Sequence, residues 1–157
     1  MTAPVTMESI RRFLNMHRIA IAGASRNPQD YSRIVAKEME AKGYEVLFLN
    51  PGVGTMDGKV SYGAVDLIQP PPEGVVLLVP ESRILETTRL CLRAGVGHYW
   101  FRHGEKTSAD YAAAISEARA AGANVVADEC PLMFLPDMAW VHRAHHFLRQ
   151  VTGTLPG

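Results

Sequence analysis

Five short apolar segments, separated by stretches with helical spacing, constrain the fold of this 157-residue chain more than any other feature. These segments show no alternation with polar residues, which is typical of strands covered on both faces. Strands that alternate with helices form parallel sheets with right-handed crossovers. We therefore predict an α/β fold with a doubly wound, five-stranded parallel sheet of order 3-2-1-4-5 and helices on both faces. The strands are expected at 18–22, 44–49, 74–79, 96–101 and 123–127.

Apolar spacing and capping residues locate the helices between these strands. Ser82 and Ser108 are suitable caps for the third and fourth helices, and a short weak helix is expected near 64–68. The expected helices are 6–15 at the N-terminus, 31–42, the two that follow Ser82 and Ser108, and about 138–151 at the C-terminus. We expect residues 1–157 to form a single domain with its core at 18–131.

Composition excludes several classes of protein. Hydrophobic residues make up 47% of the chain and charged residues 20%, and the formal net charge is +0, so no strong field attracts nucleic acid or a membrane surface. Two cysteines, Cys91 and Cys130, are too few for a disulfide framework. The first sixteen residues have neither a signal peptide nor a membrane anchor, so we expect a cytoplasmic protein.

The turn after the first strand is a candidate phosphate site, because ligands of such sheets bind at the carboxyl ends of the strands. Gly23 permits a tight turn, and the amides at the start of the next helix can donate to an anion. Ser25 adds a hydroxyl and Arg26 a positive charge. The segment is neither G-x-G-x-x-G nor a P-loop, and Asp30 can cap the helix itself, so an ordinary strand-to-helix turn remains the alternative.

The second strand ends at Asn50 and Pro51, where an NAD site usually has a carboxylate. Asp57, the next acid, lies well into the following loop, so NAD lacks its most specific support. Asn50 can hydrogen-bond to a ribose or an adenine, and Pro51 can pack on a purine. A plain turn is the alternative, since Asn-Pro is a turn dipeptide.

Four segments in order, IAIAGASRNP, GYEVLFLNP, GVVLLVPES and GANVVADECP, resemble the CoA-binding domain family. These are small Rossmann-like proteins similar to the CoA-binding half of the succinyl-CoA synthetase alpha subunit. The resemblance covers roughly 18–131 and implies that coenzyme A lies across the strand ends. It implies phosphate contacts from Gly23, Ala24, Ser25 and Arg26, adenosine contacts from Asn50 and Pro51, adenine or pantetheine contacts from Val79 and Pro80, and a cleft wall at Gly104.

Two positions depart from that family. Gly52 stands where many relatives carry a lysine, and Arg102-His103-Gly104 replaces the Gln-Glu-Gly that often follows the fourth strand. Arg102 is a candidate replacement for the missing charge. His103 is a candidate acid or base, although plain hydrogen bonding or a phosphate contact is the simpler role for an isolated histidine.

Cys130 and the C-terminal helix carry the remaining chemistry. Cys130 is either a redox-active thiol able to pair with the CoA thiol or a buried apolar residue, whereas Cys91 is expected in the core. His142, His145 and His146 form either a weak metal site or, as we favour, a solvated basic surface. The apolar stripe Trp140, Val141, Phe147 and Leu148 packs on the domain or forms the interface of a homodimer.

The sequence supports three functions. The first is a module that binds CoA or acyl-CoA, a small-molecule nucleotide partner, without evident catalysis of its own. The second is an NAD(P)-binding oxidoreductase or the partner subunit of an acyl-CoA synthetase, which needs a ribose-binding carboxylate or a catalytic histidine. The third is a redox or regulatory protein that uses Cys130.

Overall fold

A single, mostly parallel sheet organises the computed structural model, which describes residues 5–52, 54–102 and 108–135. The strands are β1 (Arg18–Ala22), β2 (Glu45–Leu49), β3 (Thr55–Met56), β4 (Lys59–Tyr62), β5 (Gly74–Leu77), β6 (His98–Phe101) and β7 (Asn124–Ala127). The helices are α1 (Met7–Leu14), α2 (Tyr31–Ala41), α3 (Glu81–Arg93) and α4 (Ala109–Ala120), with single 3₁₀ turns at Val65–Leu67 and Pro131–Met133. The predicted α/β class, with a Rossmann-like sheet, is confirmed.

The sheet has seven strands in the described ranges rather than the predicted five, in the order β3-β4-β2-β1-β5-β6-β7. Strand β4 pairs in parallel with β2 and takes the third place of the predicted 3-2-1-4-5 order. The segment at 74–77 therefore moves to the other side of β1, and the parallel strands follow 3-2-1-4-5-6. Strand β3 has only two residues and pairs antiparallel at the edge. No apolar run marks β3 or β4, because half of their side chains are exposed at this end of the sheet.

Side chains of the central strands alternate between two buried layers, as they must when helices cover both faces. One layer contains Ala20, Leu77, Tyr99 and Phe101 and includes residues of α3 and α4. The other contains Ile19, Ile21, Val76 and Trp100 and includes residues of α1 and α2. These two layers hold the sheet between the helices. Because the strands pair in parallel, the carboxyl ends of β1, β2, β5 and β6 lie side by side at one edge.

The helices begin in two different ways. Thr6, Asp30 and Ser108 each accept a hydrogen bond from a first-turn amide, so α1, α2 and α4 have side-chain caps. The prediction that Ser82 caps α3 is wrong: Pro80 occupies the cap position and makes no side-chain cap bond. A proline is tolerated at this place because its fixed φ is compatible with the non-helical backbone of a cap residue.

Several predictions lie outside the described residues. These are the C-terminal helix at about 138–151, with its histidines His142, His145 and His146 and its apolar stripe, and also His103 and Gly104. Within the described ranges, every helix is too short or too polar to cross a bilayer.

Candidate functional site

Two pockets of about 360 Å³ each open at the carboxyl edge of the sheet and share Val79 and Pro80, which follow β5. We name them the β2 pocket and the β6 pocket after the strands beside them. Residues of the β2 pocket include Gly23, Leu49, Asn50, Pro51, Val65, Arg83, Glu86, Thr87, Leu90 and Cys91. Residues of the β6 pocket include Asp30, Tyr31, Glu81, Ile84, Arg102 and Tyr111. The predicted residues Gly23, Asn50, Pro51, Val79, Pro80 and Arg102 thus meet at one edge.

Gly23 is required where β1 ends. Its φ is +88°, and a Cβ there would lie 2.7 Å from the carbonyl oxygen of Leu78 and 2.8 Å from the amide nitrogen of Val79. Its own amide donates to the carbonyl of Leu49 at 3.0 Å. Because glycine alone fits such an approach without strain, the first turn and the Val79 segment come into direct contact. This contact forms the wall between β1 and both pockets.

The start of α2 is already occupied by the chain's own acid. The Asp30 carboxylate accepts from the amide of Ser32 at 2.9 Å and from its hydroxyl at 2.6 Å. The Ser32 hydroxyl oxygen in turn accepts from the amide of Ser25 at 2.9 Å. The alternative noted for this turn, that Asp30 caps the helix, is therefore the observed arrangement. A negative charge at this helix end disfavours a phosphate beside it.

The other predicted phosphate contacts lie beside the pockets rather than in their walls. Ala24 is fully buried. Ser25 is half-buried, and Arg26 is exposed and donates from its guanidinium to the carbonyl of Gly52 at 2.5 Å. Of the four residues from Gly23 to Arg26, only Gly23 lines one of the two pockets.

Arg33 supports this turn from behind and was missed by sequence reasoning. Its side chain is buried, and its guanidinium donates to the carbonyls of Ser25 at 3.1 Å and Arg26 at 3.3 Å. It also forms an ion pair with Asp57 and lies 5.7 Å from the centre of the Phe48 ring. The hydrogen bond from Arg33 lowers the pKa of Asp57. The available signal was an arginine among the apolar positions of α2.

Asn50 ties the end of β2 to the first turn. Its side-chain amide donates to the carbonyl of Ala24 at 2.6 Å, and its backbone amide donates to the carbonyl of Tyr62 at 2.9 Å. Pro51 is exposed at the rim of the β2 pocket. The pair therefore shapes the pocket, and Pro51 presents a ring to whatever binds there.

Helix α3 supplies the far wall of the β2 pocket. Arg83, Glu86, Thr87, Leu90 and Cys91 recur at intervals of three and four residues, which places them on one face of the helix. Sequence reasoning included Arg83 among residues near the strand ends but did not select it. It placed Cys91 in the core and missed Glu86, Thr87 and Leu90. The signal was this helical spacing directly after Pro80. The prediction that Cys91 belongs to the core is confirmed, and burial raises the pKa of its thiol to about 12.

Aromatic hydroxyls dominate the β6 pocket. The guanidinium of Arg102 lies 5.2 Å from the centre of the Tyr31 ring, and the Tyr31 hydroxyl is 3.1 Å from Sγ of Cys130. Tyr111 donates to the carbonyl of Phe101 at 3.2 Å and to Oδ1 of Asp128 at 3.1 Å. Burial is the main cause that raises the pKa of both tyrosines, so both hydroxyls stay protonated at neutral pH.

Within the residues that the structure describes, no three His, Cys, Asp or Glu side chains lie close enough together to hold a metal ion. The described side chains of the two pockets offer hydrogen bonding, charge pairing and apolar contact. An apolar pocket with a few polar groups is the usual form of a cofactor site.

Three solved structures illustrate what this chain is similar to. Prb, a protein redesigned for binding, is 26% identical with a TM-score of 0.76, covering 94% of this chain and 96% of that one. A hypothetical protein from Pyrococcus horikoshii OT3 is 30% identical with a TM-score of 0.73, covering 83% and 92%. The dinucleotide-forming acetyl-coenzyme A synthetase 1 of Ca. Korarchaeum cryptofilum shares the fold at 22% identity and a TM-score of 0.65, covering 76% of this chain and 27% of the synthetase. A search among curated proteins finds no match.

The family comparison agrees with the four segments that suggested the resemblance. A family model described as CoA binding domain matches residues 17–136, which include β1 to β7 and both pockets. Since the match spans most of the chain, this protein belongs to the CoA binding domain family.

Proposed function

We propose that this protein binds coenzyme A across the carboxyl edge of its sheet, with the adenosine end in the β2 pocket and the pantetheine arm in the β6 pocket. The observation that carries the proposal is the pair of equal pockets that share Val79 and Pro80. Coenzyme A is a long molecule with two ends of different chemistry. A site with two connected halves suits it better than a compact ligand.

The β2 pocket has the walls that an adenine needs. Leu49, Val65 and Leu90 offer apolar surface, and Pro51 presents a ring at the rim. Burying the flat face of a purine against such groups is favourable because it removes apolar surface from water. Asn50 remains the proposed polar neighbour of the adenosine, as the sequence predicts.

The diphosphate would pass between Gly23 and the start of α3. Gly23 lets the first turn pack directly on the backbone of Leu78 and Val79, and Pro80 leaves the α3 terminus without a side-chain cap. The start of α3 offers backbone amides to an anion, and Glu81 in the first turn places a carboxylate on the side of the β6 pocket. Ala24 and Ser25 build the turn in this proposal, and Arg26 lies beside the Gly52 carbonyl that it binds.

The pantetheine arm would run past Val79 into the β6 pocket towards Tyr31, Arg102 and Tyr111. The oxygens of the two hydroxyls, which already bond within the fold, can still accept from amide N–H groups such as those of pantetheine, and Arg102 adds a positive charge beside them. His103 and Gly104 follow Arg102 directly in the chain and remain candidates for the same region. The proposed function is binding, and it includes no reaction.

Calorimetry and thermal shift with coenzyme A, NAD, NADP and ATP test the proposal. With all four ligands at one shared concentration, we expect coenzyme A to stabilise the fold most. The gain is about 2.7 kcal/mol when that concentration is a hundredfold above the dissociation constant of coenzyme A. Leu90→Trp should weaken coenzyme A at least tenfold, because Leu90 is 41% exposed and a larger side chain there fills the β2 pocket.

Arg93→Trp is the matched control, because Arg93 is exposed on the same helix and outside both pockets. It should leave the affinity unchanged. A melt that shifts with NAD and not with coenzyme A, or no heat at millimolar coenzyme A, would show that the proposal is wrong.

A further inference from the structure

We infer that Arg83 binds the phosphate on the 3′ position of the coenzyme A ribose and thereby selects this ligand over adenine nucleotides that lack that phosphate. The inference rests on the proposed function and adds to it the residue that sets specificity. It concerns the α3 wall of the β2 pocket.

Arg83 is the one basic residue among the described residues of the β2 pocket. It lies in the first turn of α3, three residues after Pro80, and is exposed. It does not line the β6 pocket. A cation at this place reaches the adenosine half of a ligand and not the pantetheine half.

The guanidinium of Arg83 is not used by the part of the fold that the structure describes. Its side chain makes no hydrogen bond or ion pair with the rest of the described chain. Arg89, six residues further along α3, shows the contrast, since it forms a bidentate pair with Glu117 at 2.8 and 2.6 Å. An arginine that is left unpaired at a pocket wall retains its planar fork of donors, which matches a phosphate.

The chemistry of the ligand decides which phosphate Arg83 meets. Coenzyme A carries phosphate at two places, the diphosphate at the 5′ position and the monophosphate at the 3′ position of the same ribose. In the proposed orientation, the diphosphate lies over Val79 and Pro80 and connects the adenosine to the pantetheine arm in the β6 pocket. The 3′-phosphate branches off that path and stays on the β2 side, where Arg83 is the cation.

The opposite wall offers no charge for this phosphate. Asn50, Pro51 and Gly52 are uncharged, and Arg26 donates to the Gly52 carbonyl outside the pocket. The formal net charge of the chain is +0, so no general field replaces a local cation.

Glu86 restricts further where the 3′-phosphate can lie on this wall. It lies one turn after Arg83 on the same wall, and its carboxylate repels a phosphate placed beside it. The phosphate is therefore favoured on the Arg83 side of this wall, because the first-turn carboxylate of Glu81 lines the β6 pocket instead. Glu86 is left to accept from a ribose hydroxyl or the adenine amino group.

Calorimetry with two ligands, coenzyme A and 3′-dephospho-coenzyme A, tests the inference on the full chain and on Arg83→Gln. We expect the unaltered protein to bind coenzyme A at least tenfold more tightly than the dephospho form, the scale of a charge-assisted hydrogen bond. Arg83→Gln should weaken coenzyme A about tenfold and change the dephospho form less than twofold. Arg93→Gln, which removes the same charge from the same helix outside the pocket, should preserve the preference.

Three results overturn the inference, and they separate it from the proposed function. If Arg83→Gln weakens both ligands equally, Arg83 contacts the diphosphate and the proposed function stands. If the unaltered protein binds both ligands equally, the protein makes no stabilising contact with the 3′-phosphate. If it binds neither, the proposed function fails as well. A thermal melt of each variant without ligand checks that the fold is intact.

Discussion

The β2 and β6 pockets have the same volume and share a wall, yet their polar side chains are engaged differently. In the β2 pocket, Arg83 and Glu86 project from α3 without a bond to the rest of the described chain. In the β6 pocket, the hydroxyl of Tyr31 is hydrogen-bonded to Cys130, and the hydroxyl of Tyr111 is hydrogen-bonded to Asp128. The polar side chains of the β2 pocket are therefore available to a ligand. Those of the β6 pocket form hydrogen bonds that also stabilise the fold.

This difference predicts that substitutions will separate affinity from stability. A change at Arg83 should alter ligand binding and leave the free energy of unfolding nearly unchanged, as for most exposed positions. A change at Tyr111 should alter the free energy of unfolding as well. The following variants test the contrast, beginning with the contact that both pockets share.

Gly23→Ala should have the largest effect, because it disturbs the Val79 segment, which both pockets share. The added Cβ meets the backbone of Leu78 and Val79, and the φ of +88° is strained for alanine. We expect a loss of about 3 kcal/mol in the free energy of unfolding, from strain and overpacking together. Urea unfolding measures it. Gly97→Ala is the control, since a Cβ there meets open space, and equal losses in both variants would contradict the close approach.

Tyr111→Phe should have an intermediate effect. It removes the hydroxyl that donates to the carbonyl of Phe101 and to Asp128, and it leaves a buried carbonyl with one partner fewer. We expect the free energy of unfolding to fall by about 1 kcal/mol. Tyr62→Phe is the matched control, because within the described ranges the Tyr62 hydroxyl makes no hydrogen bond. An unchanged midpoint of urea unfolding in Tyr111→Phe would contradict the idea that side chains of the β6 pocket stabilise the fold.

Asp57→Asn should have the smallest effect, and one that depends on pH. The pKa of Asp57 is lowered in the folded protein by Arg33, so its contribution to stability is complete above the unfolded value of about 4. That contribution disappears as the pH falls through the lower folded pKa. Urea unfolding from pH 6 to pH 3 should show the two proteins converging at the acid end, and a constant gap across this range would exclude the ion pair as its source.

The central part of the fold is predictable because its strands are buried on both faces. Five apolar segments correspond to β1, β2, β5, β6 and β7. Strands β3 and β4 escape prediction because Thr55, Lys59 and Val60 are exposed at the edge and leave no apolar pattern. The strand order then changes, since the place expected for the segment at 74–79 is taken by β4.

The candidate site is predictable only where strand ends determine it. The rule that ligands bind at carboxyl ends selects Gly23, Asn50 and Val79, which do line the pockets. The same rule does not show that Asp30 occupies the α2 terminus rather than a ligand, because the cap depends on side-chain geometry. Nor does it identify the α3 wall, whose alternating charged and apolar residues also fit an ordinary solvated helix.

The wall of Val79 and Pro80 has a consequence for competition between metabolites. A ligand that straddles it is a tethered pair of weak binders, and each half, once seated, raises the effective concentration of the other to the millimolar range. Free adenosine nucleotides occupy one compartment and gain nothing from this linkage. If coenzyme A binds across both pockets as proposed, a partition only two residues wide would let a scarce long cofactor displace an abundant short one.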